Sequence, residues 1–266
     1  MHLPTTLLSV LAALSLPPPI HSIPAPHQNP LAAHPNDHIF PLSSSSGGTH
    51  KIPSRHTSTL LARRLLALSP SGSLSTIFPP SHNLSTDPAY RFTPDSVGGA
   101  PIALPEYIAD CEGNGDPTLI MLDISTAAKN AREGRNVSLA VDWWAGYERV
   151  TGERPGSAAA LPRVALLGWL QEMGEGEVEK YGVKECFFDG HRDARGWEPG
   201  ARRGAHSGRW VRLRVEGVYW VGGFGDRAWI GWLDLAEWKG VSEGEWRGVR
   251  LPGEGEKEKE EELDEL

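Results

Sequence analysis

The stretch Arg209–Val221 does most to limit what this chain can fold into. Val211, Leu213, Val215, Tyr219 and Val221 share one parity, while Arg212, Arg214 and Glu216 hold the other. A period of two sends successive side chains to opposite faces of a strand, so one face is buried and one is wet. Val218 and Trp220 interrupt the polar side, which predicts cover on both faces near that end. Gly222-Gly223-Phe224-Gly225-Asp226 then turns the chain, because glycine adopts positive φ at little cost.

Further strand-like runs lie at Leu74–Phe78, Val97–Ala103, Thr118–Asp123, Asn136–Trp143, Arg163–Gln171 and Arg227–Trp232, most of them short and bounded by Gly, Pro, Asn or Asp. Helical patterns are fewer. Leu61, Leu65 and Leu68 recur at helical spacing with Arg63 and Arg64 on another face, and Ser69-Pro70-Ser71-Gly72 stops that helix. Ser125–Glu133 opens on a capping serine and is alanine-rich, Glu175–Phe188 is weakly amphipathic, and Asp234–Lys239 is a short capped turn. Mostly antiparallel strands with a few helices predict a mainly β fold with helical decorations, a small antiparallel barrel.

The flanks read differently. Met1–Ser22 has the build of a secretory leader: Leu7–Leu16 is an apolar run too short to span a membrane, followed by prolines and the small Ser22. Residues 23–56 are rich in Pro, Ser and His without periodicity and read as a disordered linker. Residues 57–248 form the expected domain, and 249–266 an acidic disordered tail. The last four residues, Leu263-Asp264-Glu265-Leu266, are similar to an ER retrieval signal, and a chance acidic end reads the same way. Asn83-Leu84-Ser85 and Asn136-Val137-Ser138 are glycosylation sequons. The net charge of -8 argues against a nucleic-acid binder, which needs a basic face. Two cysteines, Cys111 and Cys186, exclude a four-cysteine zinc site; one bridge in an oxidising compartment and two free thiols both remain open.

Little in the motifs points to chemistry. Gly223-x-Gly225-x-x-Ala228 matches a dinucleotide fingerprint in letters only, because strands rather than a strand and a helix flank it. No nucleophile elbow or His-Glu-x-x-His helix is present. His191 and His206 flank a loop holding Asp189 and Asp193, a set that serves metal binding or acid–base work, or neither. Among ten tryptophans, Trp143, Trp169, Trp210, Trp220, Trp229 and Trp232 lie in or beside strands, where core filling or a dimer interface explains most of them. An isoalloxazine or porphyrin pocket also favours such residues, with Trp220 the candidate.

Four stretches carry a family resemblance: Ala62–Leu66 into Gly72–Thr76, Ile124–Asn130 into Arg135–Leu139, His191–Trp197, and Trp210–Val215 through Gly225. Their order and spacing resemble the CREG-like members of the pyridoxamine 5'-phosphate oxidase superfamily, over roughly Leu60 to Val241. The resemblance implies an FMN-binding split barrel, Greek-key-like and six-stranded, that forms homodimers with flavin sites at the dimer interface. It puts the flavin phosphate at Ser125 and Thr126, a hydroxyl pair at a helix start. The lysine that oxidases place two residues after that serine is Ala127 here, with Lys129 further on. Arg64, Lys129, Arg212 and Arg227 are the cations near enough by position to serve a phosphate. CREG proteins are secreted or lysosomal glycoproteins, some with a blocked flavin cleft, and the Gly/Ala-rich insertion Ala145–Leu161 is placed to cover part of a pocket.

The resulting expectation is a secretory-pathway split-barrel protein, secreted, vacuolar or lysosomal, or held in the ER lumen. It has no catalytic residue and acts by binding a ligand or protein. An FMN-dependent oxidoreductase is the first alternative, with Ser125, Thr126, Lys129, Trp220 and Arg227 at the cofactor. A haem-handling protein is the second.

Overall fold

The computed structural model describes residues 51–132, 135–201 and 206–255; the expected leader, the linker up to residue 50, and residues 256–266 of the acidic tail lie outside them. Among the described residues no helix is long and apolar enough to cross a membrane.

Seven strands build one antiparallel sheet: β1 Ser71–Ile77, β2 Pro101–Tyr107, β3 Thr118–Leu122, β4 Asn136–Asp142, β5 Arg163–Glu172, β6 Gly208–Val221 and β7 Ile230–Leu233. Six of them follow the order β2-β1-β4-β5-β6-β3, and β7 pairs with β6. The two ends of that path meet. Ala109, just past β2, and Thr118, at the start of β3, exchange backbone hydrogen bonds of 3.1 and 2.7 Å. This closes the sheet into a barrel at one point and leaves β2 and β3 apart elsewhere. Leu74, Leu119, Leu139, Leu166, Leu213, Val218 and Trp220 fill the interior.

Helix α1 (Arg55–Leu68) packs over the barrel and is capped by the Ser54 hydroxyl, which accepts from the Thr57 amide at 3.0 Å. Its buried stripe is rotated from the expected one: Ala62, Leu65 and Leu66 are buried, Leu61 and Leu68 flank them, and Arg63 is buried too. A one-turn α2 (Ser81–Leu84) follows β1, and α3 (Thr126–Asn130) follows β3, shorter than the expected Ser125–Glu133. In the insertion after β4, α4 (Trp144–Thr151) lays Tyr147 and Val150 on the core.

The long helix expected over Glu175–Phe188 is two helices, α5 (Glu175–Lys180) and α6 (Val183–Gly190). The break falls at Gly182, whose φ of 56° lies in the left-handed region. With the 3-10 turn Arg192–Trp197, these helices form a flap over the outer face of β3 and the first half of β6. Under it lies a second, smaller core: Val178, Val183, Phe187, Phe188, Ala194 and Trp210. Finally α7 (Leu235–Gly240) and α8 (Glu243–Arg247) close against α1.

Four further expectations change. The run at Val97–Ala103 is a turn followed by a strand starting at Pro101, and Arg227–Trp232 becomes Ile230–Leu233. In β6 the alternation switches frame. Leu167 pairs with Gly217 and Gly168 with Val215, so Glu216 is an extra residue in a bulge. Val211, Leu213 and Val215 face inward before it, Val218 and Trp220 after it, and Tyr219 is exposed. Double cover therefore occurs in the first half of β6, where Trp210 meets the flap, and not near Trp220. The ordered body also runs past 248: Leu251 is 2% exposed, the Pro252 carbonyl accepts from the Trp143 indole at 2.8 Å, and Glu254 pairs with Arg64 at 2.6 Å.

Candidate functional site

The expected cofactor residues sit at two distant corners. Ser125 and Thr126 follow β3 beside the Gly208 end of β6, where the Asp123 amide bonds the Ser207 carbonyl at 3.0 Å. Trp220 lies at the far end of the same strand, and Arg227 in the turn beyond it. Twelve residues along a strand at ~3.3 Å each separate the corners by roughly 40 Å. Within one chain they do not form one site.

At the first corner the Ser125 hydroxyl caps α3, accepting from the Ala128 amide at 3.0 Å. The helix is a single turn, too short to build much of a dipole. The Lys129 ammonium makes no hydrogen bond or ion pair to the described residues, and the residue is partly exposed. Next to Ser125, where β2 and β3 stand apart, a cavity of about 160 Å³ is lined by Glu106, Ile120, Leu122, Phe187 and Trp197. Its rim is built from the flap. The Tyr107 phenol donates to Asp193 at 2.8 Å, and its ring stacks on His191 at 4.5 Å between centroids. His191 is buried and donates from Nε2 to the Ile108 carbonyl at 3.0 Å, which fixes its tautomer. Hydrogen bonding to Asp193, then that residue's charge, pushes the Tyr107 hydroxyl's pKa up.

At the second corner an open groove of about 790 Å³ runs past Leu61, Pro162, Arg227, Arg250 and Glu254. Trp220 borders it but is 1% exposed, so its ring faces belong to the core. Arg227 holds Asp226 at 2.9 Å, and Arg250 donates to the carbonyls of Arg247 and Val249. The insertion Ala145–Leu161 ends at this corner: a β-carbon on Gly223 would stand 2.7 Å from the Ala160 carbonyl oxygen.

The other two proposed phosphate partners are engaged as well. Arg64 forks onto Glu254 with bonds of 2.6 and 2.7 Å. Arg212 binds Glu112 at 2.7 Å and also Glu177 of the flap. Glu112 belongs to a loop that sequence reasoning passed over, Asp110–Asp116. There Arg63 reaches Asp110 at 2.9 Å and the carbonyls of Gly113 and Trp238 at 2.7 Å, while Asp116 takes Arg214, Lys239 and the Val215 amide. Burial pushes the Asp110 and Glu112 pKa values up, against the pull of Arg63 and Arg212. The alternating acids at 110, 112 and 116 were a visible signal, but their partners come from α1, β6 and α7 and follow no local spacing. A disulfide joins Cys111 in this loop to Cys186 on α6. Asn83 and Asn136 are both exposed, and His206 is exposed at the foot of β6.

The family model described as "CREG, beta-barrel" matches residues 53–239. This chain belongs to the CREG β-barrel family. The match covers α1 through α7, the barrel and flap alike. None of the curated proteins compared with the chain matches it. Among solved structures it is similar to a heme binding protein from Mycobacterium smegmatis, at 18% identity, a TM-score of 0.50 and 72% coverage of this chain. It is also similar to the Agrobacterium tumefaciens protein Atu2129, at 21% identity, a TM-score of 0.45 and 71% coverage. The CREG chain spans 62% and 65% of those two proteins' lengths. The likeness to the mycobacterial protein speaks to the fold alone.

The residues of a single chain do not fit a flavin. A cofactor-sized ligand takes a pocket of roughly 300–1,000 Å³. The cavity beside Ser125 is about half the lower bound, and the larger groove lacks the hydroxyl pair and offers only the edge of Trp220.

Proposed function

We propose that this CREG-family chain is a secretory-pathway binding protein that works as a homodimer and carries no catalytic residue. The observation that carries this reading is that three of the four candidate phosphate cations, Arg64, Arg212 and Arg227, hold carboxylates of their own chain, which leaves Lys129 as a single charge for the task. A flavin phosphate carries about two charges and needs such partners free. The Cys111–Cys186 bond supports an oxidising compartment, and exposed Asn83 and Asn136 suit glycosylation there. Support for a dimer comes from the outer sheet face. Pro105, Ser73, Ala140, Ala165, Tyr219 and Trp232 stand side by side across six strands, an uncharged row with aromatics at one end and small residues at the other. Two-fold pairing lays the aromatic end of one copy on the small-residue end of its partner.

The test is an absorption spectrum of the purified protein. The reading expects a colourless protein; visible flavin bands overturn it. A second reading, haem handling, draws on the fold likeness to the mycobacterial heme binding protein and on exposed His206. It requires a Soret band on haemin addition that His206→Ala removes.

A further inference from the structure

We infer that the cavity in the split between β2 and β3 is a binding site for a small organic cation, a primary amine attached to a benzene-sized apolar body. This deepens the binding reading above, and it starts from what lines the cavity. Glu106 brings a carboxylate, Ile120, Leu122 and Phe187 bring apolar walls, and Tyr107 and Trp197 bring exposed rings at the mouth. No lysine, arginine or histidine is among the lining residues. One carboxylate in a lining without cations selects a positive ligand over a phosphate or carboxylate.

Glu106 is the group with something to gain. Its carboxylate makes no hydrogen bond or ion pair to any described residue, and partial burial pushes its pKa up. A half-buried acid in that state costs some stability when ionised, and an ammonium beside it offsets the cost. The Ser125 hydroxyl on the same wall already accepts from the Ala128 amide, and Glu106 is the one carboxylate in the lining, so it is the stronger acceptor for an ammonium. The open faces of Trp197 and Tyr107 add the attraction of an aromatic quadrupole for a cation. Tyr107 cannot swing away to fill the space, because Asp193 holds its hydroxyl and His191 backs its ring.

Size sets the rest of the ligand. The cavity measures about 160 Å³. An apolar cavity of about 150 Å³ is known to accept benzene. An aryl or short branched alkyl group fills such a space, and the ammonium then meets Glu106.

The experiment is calorimetric titration of the intact protein with benzylamine, benzyl alcohol and benzoate. Benzylamine is expected to bind in the millimolar range or tighter, with benzyl alcohol weaker and benzoate undetected. Glu106→Gln, confirmed as folded by its melting curve, is expected to weaken benzylamine roughly ten- to a hundredfold. Trp197→Ala, at the exposed mouth, is expected to weaken it several-fold without changing the melt. No benzylamine binding, equal binding by the Glu106→Gln variant, or equal binding of benzoate overturns the inference. The two proposals fail separately: flavin bands in the spectrum defeat the earlier reading, whereas a colourless protein that ignores benzylamine defeats only this one.

Discussion

Gly168 lies directly against the Arg214 carbonyl, so close that a β-carbon at position 168 would overlap the oxygen. That approach is the bulge in which Glu216 is the extra residue and β6 changes frame. Neither atom can retreat, since both are backbone in the middle of paired strands. Gly168→Ala is therefore expected to cost at least about 2–3 kcal/mol, with Trp220 emission shifting as the frame strains. Chemical denaturation followed by fluorescence measures both, and an unchanged midpoint removes the bulge from the account.

Trp220 follows that bulge and is 1% exposed, paired across from Val164. Trp220→Ala leaves a large void at the end of the barrel. The expected loss is about 3–5 kcal/mol. In a domain of this size that lowers Tm by roughly 10 °C. A melt within a degree of the parent's would place this ring at the surface.

The bond between Cys111 and Cys186 ties the Asp110–Asp116 loop to α6 over a separation of 75 residues. Replacing both cysteines with serine is expected to lower stability by about 2–5 kcal/mol. Because the flap core is small, the flap is expected to open before the barrel does. Limited trypsin digestion should then cut within residues 173–207 while the barrel fragment survives, and uniform resistance would contradict this.

Glu254 answers to pH. Burial alone raises its pKa, but hydrogen bonds from Arg64 and the Leu251 amide, with Arg64's charge, outweigh burial and hold it below the usual 4.5. A carboxyl depressed in the folded state stabilises above its unfolded pKa, and the gain fades as pH falls through the folded value. Glu254→Gln is therefore expected to be less stable than the parent by about 1–2 kcal/mol at neutral pH. The two melting curves should converge as the pH drops below about 4. A gap independent of pH would mean that packing, not charge, holds Glu254.

Trp232 is 59% exposed and touches Tyr219 edge-on at 5.2 Å between centroids. If the sheet face joins two copies, Trp232→Glu puts a charge into that contact. Sedimentation should then show the parent as a dimer and the variant as a monomer with an unchanged melt. A monomeric parent would end the homodimer proposal.

Much of the fold could be read from the chain. All seven strands overlap their expected spans, two of them only in part, because alternation is a local property. The frame switch at Glu216 was not readable, since a bulge depends on the partner strand, and Val218 with Trp220 looked like a covered face. The break at Gly182 was missed because Val178, Tyr181 and Cys186 fit one amphipathic helix as well as two. The site was less legible still. Ser125 was found as a cap, which is local, but Glu106 sits in an unremarkable Pro-Glu-Tyr run and acquires meaning only when β3 and the flap close around it. Arg63 looked like a solvated charge, and only the placement of Asp110 and the Trp238 carbonyl explains its burial.

The flap leaves the sheet after Glu172 and returns into β6, and Glu172 pairs with Val211. The excursion thus begins and ends at neighbouring points. A tight connection could replace it without rerouting any strand, at the cost of baring Trp210 and removing one wall of the Glu106 cavity. Relatives with different flaps on the same barrel would then differ in what they admit while sharing an unaltered frame.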